Sequence, residues 1–88
     1  MENRKKAVAL NYENGYEAPI VTAAGVGYIA DKIIEVAEDT EVPIVYNKEL
    51  ADLLVNVEVG EYIPSELYEA VASVIAYVMD LDSKKDRG

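Results

Sequence analysis

Residues 18–30 read Ala-Pro-Ile-Val-Thr-Ala-Ala-Gly-Val-Gly-Tyr-Ile-Ala, and this stretch decides the fold. Its opening, Ala18 to Ala23, predicts a strand. Pro19 has no N–H, so it belongs at the start of that strand or on an unpaired edge. Gly25-Val26-Gly27 then lets the backbone turn tightly into a helix from Tyr28 to about Glu38. Val26, Ile29, Ile33 and Val36, with Ala30 and Ala37, form one apolar stripe, while Asp31, Lys32, Glu35 and Glu38 lie outside it. A strand handing over to an amphipathic helix places the chain in the α/β class.

Working outward, Ala7 to Tyr12 is a second candidate strand, joined to the first through Glu13-Asn14-Gly15-Tyr16. Asn-Gly is a strong hairpin signal because both residues tolerate positive φ. Beyond the helix, Val42-Pro43-Ile44-Val45-Tyr46 reads as a short buried strand. Asn47 suits the N-cap of a short helix from Lys48 to about Val55. Asn56 to Pro64 is a connection, and Ser65 can cap a last helix whose first turn holds Glu66 and Glu69. Leu67, Val71, Val74, Ile75 and Val78 give that helix one apolar face. The expected order is β-β-α-β-α-α: a small mixed sheet, hairpin plus a parallel β-α-β strand, covered by helices. Residues 1–6 form a basic N-terminal stub, 7–82 a single domain and 83–88 a charged flexible tail.

The chain of 88 residues carries a formal charge of -9, and its cations sit at its ends. Between residues 7 and 83 only Lys32 and Lys48 face 15 of the 17 carboxylates, a net of -13. Such a body repels phosphate backbones, which argues against nucleic-acid binding, and suits solubility or steering toward a basic partner. With neither Cys nor His, disulfides, the familiar zinc sites and histidine-based triads cannot be built. No signal peptide and no apolar run of bilayer length is visible, so the expected compartment is the cytoplasm, without membrane insertion.

Two patterns invite chemistry. Gly25-x-Gly27-x-x-Ala30 between a strand and a helix resembles a pyrophosphate cradle. The next strand, however, ends in Tyr46-Asn47 with no carboxylate for a ribose, and the chain is short for a dinucleotide crevice. Glycines for a tight strand-to-helix turn are the better reading, and no cofactor is expected. The clusters Glu38-Asp39-Glu41 and Asp80-Leu81-Asp82 lack the spacing of a calcium loop and read as solvated helix ends, so no metal is expected. The seven tyrosines look like half-buried anchors. The residues by themselves describe a small acidic binding module without catalytic equipment.

Taken as an ordered set, Ala7-Val8-Ala9-Leu10-x-Tyr12, Ala18-Pro19-x-Val21-x-Ala23, Gly25-x-Gly27-x-x-Ala30, Val42-Pro43-Ile44-Val45, Leu50-Ala51 and the stretch from Val59-Gly60-Glu61 to Ala70-Val71-Ala72 carry a family likeness. They resemble the cytoplasmic C-terminal domain of the flagellar and type III secretion export switch proteins, the FlhB/YscU family, from residue 7 to about 81. In that family a membrane domain precedes the cytoplasmic one. The cytoplasmic domain cleaves itself at Asn-Pro-Thr-His just before the strand matching Ala7–Tyr12, a step linked to switching between classes of export substrate. The matching positions here are Glu2, Asn3, Arg4 and Lys5, and the chain has no Asn-Pro anywhere. The expectation is a stand-alone version, not an enzyme, that does not cleave itself.

The resemblance also implies a substrate site. Flagellar members are thought to hold early export substrates in a small apolar pocket, whose positions here are Ala18, Pro19, Ala72 and Ile75. Ordinary packing of the last helix on the sheet would use Ala72 and Ile75 equally well. Where relatives often keep Pro-Pro before the short helix, this chain has Lys48-Glu49. The expected function is a monomeric interaction module of the export apparatus, binding export substrates, their chaperones or export-gate components. The alternatives are a regulatory module unrelated to export that pairs by strand addition, and a nucleotide-binding β-α-β unit.

Overall fold

The computed structural model describes residues 4–87, and side-chain surroundings for residues 4–79. Glu2 and Asn3 therefore lie outside the described residues. Two strands, β1 (Lys6–Asn11) and β2 (Ile20–Val26), pair antiparallel. Three α-helices follow: α1 (Tyr28–Asp39), α2 (Lys48–Leu54) and α3 (Tyr68–Arg87), the last entered through a 3-10 turn at Ser65–Leu67. The α/β class holds.

The register sorts the side chains between two faces. Val8 opposite Ala24 and Leu10 opposite Val21 join the core, whereas Ala7 opposite Gly25 and Ala9 opposite Ala23 point the other way. Val21 and Ala24 are three residues apart and would ordinarily face opposite sides. A bulge at Thr22 corrects the alternation, because Ala9 pairs with Ala23 and Leu10 with Val21, leaving Thr22 as the extra residue. The Thr22 hydroxyl donates to the Ala9 carbonyl at 3.3 Å.

On the core face, Ala18, Val21, Leu50, Leu54, Ile63 and Val71 are buried together, bringing α2 and α3 onto the sheet. The other face, made of small residues, receives α1. Gly25 is required there: a β-carbon on it would come within 2.6 Å of the Ile29 Cβ. Gly27, at φ 65, turns the chain into α1, and its N–H donates to the Lys5 carbonyl at 2.7 Å. Asn47 caps α2, its Oδ1 accepting from the Leu50 N–H at 3.1 Å.

Several expectations are corrected. Val42 to Tyr46 forms no strand and does not join the sheet, so the parallel β-α-β unit, and with it the nucleotide-binding alternative, is lost. Pro43 cannot donate to a ladder, and the Val42 N–H is spent on the Ala37 carbonyl at 2.8 Å. The third row of backbone bonding comes from residues 60–63 instead. The Val21 N–H donates to the Glu61 carbonyl at 3.0 Å, the Gly60 N–H to the Val21 carbonyl at 2.7 Å and the Ile63 N–H to the Pro19 carbonyl at 3.0 Å. Ile20 and Tyr62 form the associated antiparallel bridge.

The link between β1 and β2 spans residues 12–19, longer than a two-residue hairpin. Within it the Tyr16 N–H donates to the Glu13 carbonyl, and of the Asn-Gly pair only Gly15 has positive φ. The Ser65 hydroxyl makes no capping bond, since Pro64 occupies the cap position of the 3-10 turn. Six of the seven tyrosines are exposed instead of half-buried, Tyr46 being 83% accessible.

Candidate functional site

Ala18, Pro19, Ala72 and Ile75 line one cleft of about 320 Å³. Two elements build it. The first is the end of the β1–β2 connection, where Ala18 and Pro19 are both buried and form the floor. Pro19 is held from two sides. Its ring fixes φ, and its carbonyl accepts from the Ile63 N–H. The second is α3, where Tyr68, Ala72, Ile75, Ala76 and Met79 follow one another at helical spacing along the same wall. Val71, one position round the helix, is fully buried and anchors that wall to the core.

Tyr12 and Glu17 complete the lining, and both were missed from sequence together with Tyr68, Ala76 and Met79. The α3 residues had a usable signal: Tyr68, Ala76 and Met79 lie one turn from Ala72 and Ile75. Tyr12 and Glu17 had none, because they reach the cleft through an irregular connection. Met79 is 64% accessible and Tyr68 45%, so the rim is apolar and open to solvent. Among the described residues, Glu17 is the single carboxylate in the lining. What the cleft offers is shape and apolar surface.

The glycine turn before α1 is no anion cradle. Its Gly27 N–H is occupied by the Lys5 carbonyl, and Asp31 stands in the first turn of the helix. Lys5 bonds Asp31 at 2.9 Å, and that hydrogen bond raises the Lys5 ammonium above its ordinary value. Arg4 and Lys5, the described half of the degenerate motif, thus lead directly into β1, with Lys5 tied to α1. Lys6 reaches Asp52 on α2 at 2.8 Å, with Lys48 at 3.3 Å from the same carboxylate. The hydrogen bond from Lys6 in particular holds Asp52 below its ordinary value, against some desolvation.

Comparison with known proteins places these features. Residues 4–78 match the model of the FlhB HrpN YscU SpaS family. The flagellar biosynthetic protein FlhB of Aquifex aeolicus is 49% identical over 75 residues, covering 83% of this chain and 21% of that protein. The protein YlqH of Bacillus subtilis is 42% identical over 79 residues, covering 89% of this chain and 85% of YlqH. The chain thus spans about a fifth of the flagellar relative but most of YlqH. Among solved structures, the cytoplasmic domain of FlhB from Shewanella putrefaciens superposes with a TM-score of 0.86 at 39% identity, covering 94% of this chain and 70% of that one. The PscU C-terminal domain gives 0.79 at 28% identity, covering 83% and 95%. Among the described residues, no helix is long and apolar enough to cross a membrane.

Proposed function

The chain belongs to the FlhB/HrpN/YscU/SpaS family, and from that membership we propose that it is a non-enzymatic interaction module of flagellar or type III export, working at the cytoplasmic side of the export gate. Its partners in this reading are export substrates, their chaperones or the cytoplasmic parts of the gate. One observation carries the reading: Ala18, Pro19, Ala72 and Ile75, far apart in sequence, line a single open apolar cleft.

The cleft accepts an apolar side chain from a partner segment, with Ala72 leaving the room and Ile75 the contact surface. Strand addition has no place beside it. The edge of β2 next to the cleft is already bonded to residues 60–63, so recognition rests on side chains entering the cleft. Self-cleavage is absent from this role, since Glu2-Asn3 stand where the mechanism needs Asn-Pro.

The test is a pull-down and titration against cytoplasmic domains of the export gate and against rod and hook export substrates. Binding to at least one, lost on Ala72→Asp with the fold intact, supports the reading. Absence of binding to all of them, or binding indifferent to Ala72→Asp and Ile75→Asp alike, sinks it.

A further inference from the structure

The elements that build the Ala18–Ile75 cleft differ in chemistry. The α3 wall is apolar along Ala72, Ile75, Ala76 and Met79. The β1–β2 connection instead contributes a phenol and a carboxylate, Tyr12 and Glu17. Glu17 is exposed, but it directly precedes Ala18, which is 3% accessible, so the core fixes the backbone beside this carboxylate. An occupant that buries an apolar side chain against α3 therefore brings its flank to a carboxylate. The rings of Tyr12 and Tyr68 share the lining, and their π faces also attract cations.

Among the described residues, Glu17 has no ion-pair partner. The four lysines whose surroundings are described are engaged elsewhere: Lys5 with Asp31, Lys6 and Lys48 with Asp52, and Lys32 with Glu35. The net charge of -13 between residues 7 and 83 adds a field of the same sign. A second groove, of about 390 Å³, lies on the opposite face of the sheet between α1 and the small residues Ala9, Thr22 and Ala23. Its one charged lining residue among those described is a cation, Lys32. Of the two, only the Ala18–Ile75 cleft sets a carboxylate in its lining.

We propose that the cleft selects partner segments whose seated apolar side chain is flanked by Lys or Arg, with Glu17 as the residue that makes the selection. This rests on the reading of the cleft as the partner site, and adds to it the charge that a preferred partner carries. Apolar contact with Pro19 and α3 holds the segment. The Glu17 carboxylate then ranks basic-flanked segments above neutral and acidic ones. At an open rim such a pair is screened, so the selection is modest in size and sensitive to salt.

The experiment titrates the isotope-labelled full chain with the synthetic peptide Gly-Ser-Arg-Leu-Arg-Ser-Gly and with versions carrying Gln or Glu in place of both Arg. Amide shifts are followed by NMR, and circular dichroism checks that each variant stays folded. Shifts should centre on residues 17–19 and 68–79. At low salt the Arg peptide should bind at least about threefold more tightly than the Gln peptide, and the Glu peptide most weakly. High salt should bring the three together. Glu17→Lys should abolish the preference for Arg. Glu49→Lys, on α2 and outside the lining, changes the net charge equally and should keep it. The proposal is overturned by equal affinity of the three peptides, by no shift at the cleft with the Arg peptide, by a preference that survives Glu17→Lys, or by one that Glu49→Lys removes as well. An export partner tells this failure from that of the cleft itself. Affinity lost with Ala72→Asp but indifferent to Glu17→Lys overturns the selection alone, whereas indifference to Ala72→Asp, Ile75→Asp and Glu17→Lys overturns both.

Discussion

The two grooves are similar in size and both apolar, yet they are built differently. The Ala18–Ile75 cleft has a rigid floor. Ala18 and Pro19 are buried, the Pro19 carbonyl is bonded to Ile63, and Val71 pins the α3 wall from behind. The α1 groove, about 390 Å³ between that helix and Ala9, Thr22 and Ala23 on the opposite face of the sheet, keeps much of its helical wall exposed at Ile29, Val36 and Val42. The first owes its shape to the core, so its mouth can change without loss of fold. The second is an unfinished layer, shaped by one helix resting on small residues. Substitutions should therefore separate the two.

The largest effect is expected beneath the first cleft. Leu54→Ala empties a position that is 4% accessible in the shared core, and should cost about 2–5 kcal/mol in urea unfolding. Gly25→Ala comes next. The added methyl meets Ile29 near its backbone, so α1 must shift, at about 1–3 kcal/mol. That shift should deform the α1 groove and leave partner binding at the Ala18–Ile75 cleft within about twofold of the parent. Should the cleft lose its partner as well, the two grooves are not separable.

A gain is expected at the end of α1. Glu41 is the one non-glycine residue with positive φ among the described residues, at 61°. Glu41→Gly relieves that conformation and should raise stability by about 0.5–1 kcal/mol, after the extra freedom glycine has in the unfolded chain. A fall in the thermal midpoint would show that the carboxylate itself is needed.

The smallest effect concerns Asp52, on the surface where β1 meets α2. Its carboxyl is held below 3.8 in the folded chain, first by the Lys6 hydrogen bond. A depressed carboxylate contributes stability above its unfolded value, and that contribution is lost as pH falls through the folded value. Asp52→Asn should therefore remove a small stabilisation at neutral pH, match the parent below the folded value, and so flatten the acid limb between the two. High salt should mute the difference. An unaltered acid limb at low salt would mean that Lys6 and Lys48 do not hold this group.

Much of this was legible in the sequence wherever local chemistry and tertiary packing agree. Gly25 and Gly27 marked the strand-to-helix turn, Asn47 the cap of α2, and the Leu67–Val78 spacing the buried face of α3. The misreading of Val42–Tyr46 shows the limit. Its β-branched residues suit a strand, but strand formation needs a partner, and only the tertiary arrangement shows the Val42 N–H spent on α1. Residues 60–63 carry no comparable signal, yet they sit against β2 because Ile63 is drawn into the core. The four cleft residues came from family likeness. Tyr12 and Glu17, on an irregular loop, could be placed only by the folded chain.

The central claim is that the Ala18–Ile75 cleft, and not the α1 groove, receives the export partner. The direct measurement is the affinity of one such partner for the parent chain, for Ala72→Asp and for Val36→Asp, each shown to be folded. The account predicts at least about a tenfold loss with Ala72→Asp and less than about a twofold change with Val36→Asp. Equal affinity of Ala72→Asp and the parent, or loss with Val36→Asp alone, would contradict it.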